Sequence, residues 1–86
     1  MIEKIIEIVS NRIGLPTSVI NADTNLLDFD IDSLDVINIV MDVEFSFNVK
    51  IEDDEIVELR TPKDIEQIIL NKFSRWHIFL KIFLKN

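Results

Sequence analysis

Phe29-Asp30-Ile31-Asp32-Ser33-Leu34-Asp35 lies where a long aperiodic stretch gives way to a helical pattern, and the reading of the chain turns on that junction. On its C-terminal side Leu34, Ile37, Val40, Met41 and Val43 or Glu44 follow i, i+3, i+4 spacing, which predicts a helix over Ser33 to Phe47. Asp32 or Ser33 supplies the N-cap, since a short oxygen-bearing side chain there satisfies one of the open first-turn N–H groups. On its N-terminal side Leu15 to Asp32 shows no sustained period and holds Pro16, Thr17, Ser18, Asn21, Asp23, Thr24, Asn25 and Asp28. It reads as a long loop held to the core by Val19, Ile20, Leu26, Leu27 and Phe29. A loop of that length inside a small domain is often functional.

Farther out the pattern stays helical. Ile2, Ile5, Ile6, Val9 and Ile13 share one face opposite Glu3, Lys4, Glu7 and Arg12, and Gly14 with Pro16 form a stop signal, so a helix is expected over about residues 2–13. After a short link, Asn48 to Ile51, the acids Glu52-Asp53-Asp54-Glu55 precede Ile56, Val57 and Leu59. This suits a brief helix with negative charge at its positive dipole end. Thr61 as cap and Pro62 at the first helical position open a last helix that buries Ile65, Ile68 and Ile69. No segment alternates with the period of two that a strand requires. The expectation is an all-α fold, a small four-helix bundle with a long loop between the first two helices and an extended C-terminal helix.

The 86 residues make one small domain, which must bury its apolar side chains compactly. There is no cysteine, so no disulfide and no thiolate metal site is available, and any thiol must come from a group added to the chain. That lack also fits a reducing cytoplasm, the expected location. The N-terminus has no basic segment followed by an apolar run, so no signal peptide is expected, and no window reaches the ~20 apolar residues of a membrane span. The formal charge of −7 argues against nucleic acid, whose binders present a basic face, and favours partners with basic docking patches. All sixteen acids lie between Glu3 and Glu66, opposed there only by Lys4, Arg12, Lys50, Arg60 and Lys63.

The junction resembles the signature of the acyl carrier protein family, Asp-Ser-Leu at the start of the second helix. The resemblance extends from Asp32-Ser33-Leu34-Asp35 through Ile37, Val40, Met41, Val43, Glu44, Phe47 and Ile51, then through Asp53-Asp54-Glu55, Leu59, Thr61, Ile65 and Ile69. It runs without a gap from about Ile2 to Leu70. It implies that Ser33 carries 4'-phosphopantetheine, transferred from coenzyme A by a phosphopantetheinyl transferase, and that the chain is a carrier of acyl thioesters and not an enzyme, without a catalytic or metal centre of its own. A serine at a helix N-terminus suits the task because the backbone N–H groups there favour a phosphate. The competing reading of Ser33 by itself is a plain N-cap.

The same resemblance implies that Asp32, Leu34, Asp35, Met41 and Glu44 form the surface that the transferase and acyl synthases or transferases recognise. Taken as residues alone, Asp32 and Asp35 are first-turn acids that complement the dipole, and Met41 is a flexible packing residue. Ile37, Val43, Ile51, Leu59 and Ile65 are expected around a core that opens for an acyl chain; ordinary packing is the plainer reading of each. The sequence departs from the family at Asn38 and Phe45, where acids are usual, and at Asp30-Ile31, which replace Gly-Ala. The nearest alternatives are an aminoacyl, D-alanyl or peptidyl carrier, fatty-acid and specialised lipid or polyketide pathways being open for an acyl one, or a helical interaction module without a prosthetic group.

Residues 72–86, KFSRWHIFLKIFLKN, lie beyond the resemblance and beyond the expected carrier domain, 1–71. They hold Lys72, Arg75, Lys81 and Lys85 and no acid. If the last helix continues, Phe73, Trp76, Phe79, Leu80, Phe83 and Leu84 share a face with Ile65 and Ile69, opposite the basic residues. A helix over 62–85 is about 36 Å long, more than a small bundle covers. The expected destinations of that stripe are, in order, a second copy or a partner, a membrane surface, and the chain's own bundle. His77, the one histidine, is isolated and expected at the surface.

Overall fold

The computed structural model describes the backbone of residues 1–84 and the side chains of residues 1–73. It contains α1 (Ile2–Ile13), α2 (Ser33–Phe47), α3 (Asp53–Ile56) and α4 (Pro62–Leu84), with short 3₁₀ turns at Thr17–Val19 and Leu26–Phe29 in the loop between α1 and α2. The described residues include no strand. The fold is the expected all-α one. The side-chain expectations for Arg75, Trp76, His77 and the rest of the apolar and basic stripes to Lys85 lie outside the described residues.

Each helix begins or ends where a local signal dictates. α1 stops at Gly14, which takes the left-handed conformation (φ 76°) and donates its amide to the Ser10 carbonyl at 2.9 Å. The Ser10 hydroxyl bonds the Leu15 carbonyl, which accounts for a serine inside the core face. α4 starts on a reciprocal cap. The Thr61 hydroxyl accepts from the Asp64 amide at 3.1 Å, and the Asp64 carboxylate accepts from the amides of Thr61 (3.1 Å) and Arg60 (2.9 Å).

Ile5 and Val9 of α1, Ile39 and Val43 of α2, and Ile65 and Ile69 of α4 are fully buried and make the centre of the core. Ile8, Ile20, Leu26, Ile31, Val40, Ile51 and Leu59 complete it. Burying one such side chain is worth roughly 1.5–3 kcal/mol, so these contacts carry the fold. The exposed Arg12–Asp42 pair, 2.9 Å across α1 and α2, adds little by comparison.

The long loop is tied to the α3–α4 junction by two backbone bonds, Leu26 N–H to the Arg60 carbonyl (2.7 Å) and Lys63 N–H to the Ala22 carbonyl (3.0 Å). The second satisfies a first-turn N–H of α4 that the helix itself cannot. Of the five residues expected to hold the loop down, Ile20 and Leu26 are buried and Phe29 is half-buried. Val19 and Leu27 are instead half exposed: Leu27 lies in a 3₁₀ turn that turns Leu26 to the core, and Val19 ends a turn with no buried residue, just before the buried Ile20.

On α2 the position of Ile37 differs from expectation, whereas Leu34 and Met41 are exposed as a recognised surface requires. Leu34, Ile37 and Met41 are exposed, while Ile39, Val40 and Val43 are buried. α2 carries two apolar stripes at helical spacing, and spacing alone does not say which one docks. Ile37 therefore stands away from the core expected to receive an acyl chain, whereas Val43, Ile51, Leu59 and Ile65 are inside it. Met41 is correspondingly not a packing residue.

Because nothing lies within 4 Å of a Cβ built at Gly14, its substitution is a matter of backbone alone. Gly14→Ala should cost about 1–2 kcal/mol in urea unfolding. Asn48→Gly, at the left-handed C-cap of α2 (φ 53°), should instead leave stability unchanged or raise it by up to about 1 kcal/mol.

Candidate functional site

The exposed end of α2 is built by two aspartates that cap each other. Asp32, extended at φ −89° and ψ 176°, is the N-cap; its Oδ1 accepts the Asp35 amide at 2.9 Å. Asp35 returns the contact, its Oδ2 accepting the Asp32 amide at 3.4 Å. This reciprocal box decides between the two caps allowed by the sequence. Ser33 is the first helical residue and is not the cap, so its hydroxyl has no structural duty.

Ser33 is exposed, and among the described residues its hydroxyl makes no hydrogen bond. The first intrahelical bond at this end runs from the Val36 amide to the Asp32 carbonyl at 3.2 Å, and the box consumes the Asp35 amide. The N–H groups of Ser33 and Leu34 are left open beside the hydroxyl. An unengaged hydroxyl next to two open helix N-terminal amides fits a phosphodiester.

The backbone leading in is shaped by the residues that replace Gly-Ala. Asp30 takes the left-handed conformation (φ 58°, ψ 38°) that ends the second 3₁₀ turn, one that aspartate tolerates better than most residues. Ile31 then turns into the core and anchors the chain one residue before the cap. Asp28, Asp30, Asp32 and Asp35 lie within five residues of Ser33 in the chain, and none of them has an ion pair among the described residues.

The other residues named from the sequence are distributed as follows. Leu34 and Met41 are exposed on α2, on the same side as Ile37. Glu44 is half-buried, and its Oε2 accepts the Ile51 amide at 2.9 Å, holding the chain as it leaves α2. A cleft of about 300 Å³ opens between α3 and α4 with Leu59 and Ile68 at its base and Glu55, Glu58 and Asp64 at its rim. Lys72 reaches back from α4 to Glu55 at 2.8 Å, so the first turn past residue 71 is bonded to the body. No group of three metal-binding side chains occurs among the described residues.

The Asp32–Asp35 reciprocity went unread in the sequence. The Asp-x-x-Asp spacing carries it, in the form of a shortened capping box.

A family model described as a phosphopantetheine attachment site matches residues 3–69. The chain is 40% identical over 63 residues to an acyl carrier protein of Syntrophobacter fumaroxidans, covering 72% of this chain and 78% of that protein. It is 32% identical over 73 residues to an acyl carrier protein of Rickettsia canadensis, covering 84% and 85%. The crystal structure of an acyl carrier protein from Thermotoga maritima superposes with a TM-score of 0.72 at 34% identity, over 86% of this chain and 87% of that one.

Because Asp32 holds the cap and Ser33 does not, the two should separate in stability. Asp32→Ala should cost about 1 kcal/mol in urea unfolding. Ser33→Ala should stay within about 0.5 kcal/mol of the parent protein.

Proposed function

The chain belongs to the acyl carrier protein family, whose members carry covalent phosphopantetheine and are carriers, not enzymes, and on that premise we propose that Ser33 is the attachment site. The observation that carries the proposal is the free Ser33 hydroxyl at the first position of α2, beside the open amides of Ser33 and Leu34. In the loading step the Ser33 oxygen forms a bond to the phosphorus that bears the pantetheine. The pyrophosphate bond of coenzyme A breaks, the adenosine bisphosphate portion leaves, and the hydroxyl proton passes to a base of the transferase. The open amides stabilise the new phosphodiester, and the Asp32–Asp35 box holds the helix end rigid while it forms. When attached, the group supplies a terminal thiol that holds acyl units as thioesters.

The cargo is proposed to be acyl, for fatty-acid or specialised lipid or polyketide assembly in the cytoplasm. The similar proteins named as acyl carrier proteins favour this over an aminoacyl, D-alanyl or peptidyl load. Among the described residues no helix is long and apolar enough to cross a membrane. The working partners are the phosphopantetheinyl transferase and acyl-handling enzymes that approach the start of α2, with Asp32, Leu34, Asp35, Met41 and Glu44 on or beside their path. Val43, Ile51, Leu59 and Ile65 form the apolar interior available to a bound chain.

Incubation with coenzyme A and a broad-specificity phosphopantetheinyl transferase should add one phosphopantetheine to the wild-type protein by intact mass. Ser33→Ala should gain none, and modification of that variant would overturn the assignment.

Residues 72–86 are proposed to be an association element appended to the carrier domain, supported by the length of α4 and by the family match ending at Ile69. Truncation after Phe73 retains the Lys72–Glu55 contact and should leave a folded domain that still loads. Self-association by light scattering, or liposome sedimentation, should fall. An unfolded truncation product would make the segment part of the core.

A further inference from the structure

α2 presents apolar side chains on two sides. Val36, Ile39, Val40, Val43 and Phe47 meet the core, whereas Leu34, Ile37, Met41 and Phe45 are 62, 44, 59 and 91% exposed. At about 100° per residue these four fall within a sector of roughly 80° and run about 16 Å from the turn that bears Ser33. A single exposed leucine needs no explanation, but a continuous stripe does. A surface helix is expected to be polar opposite its buried face, and this one is not.

The acids beside the stripe are unequally free. At its start Asp28, Asp30, Asp32 and Asp35 have no ion pair among the described residues. Toward its end Asp42 is paired with Arg12 at 2.9 Å, which leaves Glu44, its carboxylate accepting the Ile51 amide at 2.9 Å, as the one acid of that half of α2 without an ion pair among the described residues. Lys50, just past the helix, is exposed. Free negative charge therefore falls away along α2 as apolar surface takes over, and Phe45 stands at the far end. A surface complementary to this face is basic opposite the first turn and apolar opposite the last.

Resting on the carrier role of Ser33, we propose that Phe45 is a specificity-determining residue that selects acyl-handling enzymes with an apolar socket opposite the last turn of α2. It disfavours enzymes whose docking patch is basic along the whole contact, because a lysine or arginine set against the ring loses water without gaining a carboxylate. A cation can also be attracted to a ring face, so alanine and glutamate substitutions are both needed to tell exclusion from attraction.

The test compares the holo forms of wild type, Phe45→Ala and Phe45→Glu as substrates of a malonyl-coenzyme A transferase with a basic docking patch. Rates are expressed per holo molecule, and folding is checked by circular dichroism. Phe45→Glu should raise kcat/KM on the order of two- to five-fold at low salt, the size of one rim ion pair. The gain should vanish where the screening length is about 3 Å. Phe45→Ala should match or exceed wild type. Replacing the basic residues of the transferase patch by leucine in turn should yield at least one enzyme that prefers wild type over Phe45→Glu. No gain for the glutamate variant, a loss for the alanine variant, or no leucine variant with reversed preference overturns the proposal. Failure of wild type to load at Ser33, seen by intact mass beforehand, overturns the carrier reading instead.

Discussion

Two aspartates three residues apart decide where α2 begins. Each carboxylate of the Asp32–Asp35 box takes the other residue's amide, so the helix cannot start one residue earlier or later without losing both bonds. Every other property of the site follows from that register. Ser33 becomes the first helical residue, its hydroxyl is released from capping, and two amides remain open beside it. One residue upstream Ile31 is buried, which fixes the box to the body. The left-handed Asp30 turns the chain into that anchor.

The register also sets which side of α2 enters the core. With Val36, Ile39, Val40, Val43 and Phe47 inward, the helix spends its remaining apolar residues on the surface. Folding alone does not account for that distribution, since polar residues at Ile37 or Phe45 would not disturb a side chain in the core. The face is better understood as selected by what touches it. Unlike the core, it has no need to close-pack within the chain, and the acids without an ion pair are concentrated at its Ser33 end, while Asp42 farther along is taken by Arg12.

Much of the fold was legible in the sequence because its punctuation is local. Gly14, Thr61-Pro62 and the acids that open α3 each mark a boundary through the backbone of their own neighbours, and each boundary falls where they predict. Ser33 was legible as the candidate attachment site for another reason, the agreement in register from Ile2 to Leu70. What was hidden depends on nonlocal choices. The two stripes of α2 have the same period, so spacing places Ile37 inward and leaves Met41 between packing and partner contact; burial decides both. Val19 and Leu27 are apolar residues of a loop, where no period tells the covered side from the bare one. Glu44 looked like one more surface acid, and only the return of the chain at Ile51 shows its amide bond.

The seam between the long loop and the α3–α4 junction has a consequence for how the domain breathes. Two backbone bonds, Leu26 to Arg60 and Lys63 to Ala22, close it. The α1–α4 contact, by contrast, is sealed by fully buried isoleucines. Local opening follows the least costly route, and the seam, held by two backbone bonds and the buried Leu26 side chain, has less apolar contact to break than the α1–α4 interface. The amides of Leu26 and Lys63 are therefore early exchangers with solvent deuterium, ahead of those in the helical interior. For the acyl-chain role proposed for the interior, this seam is a hinge already in place.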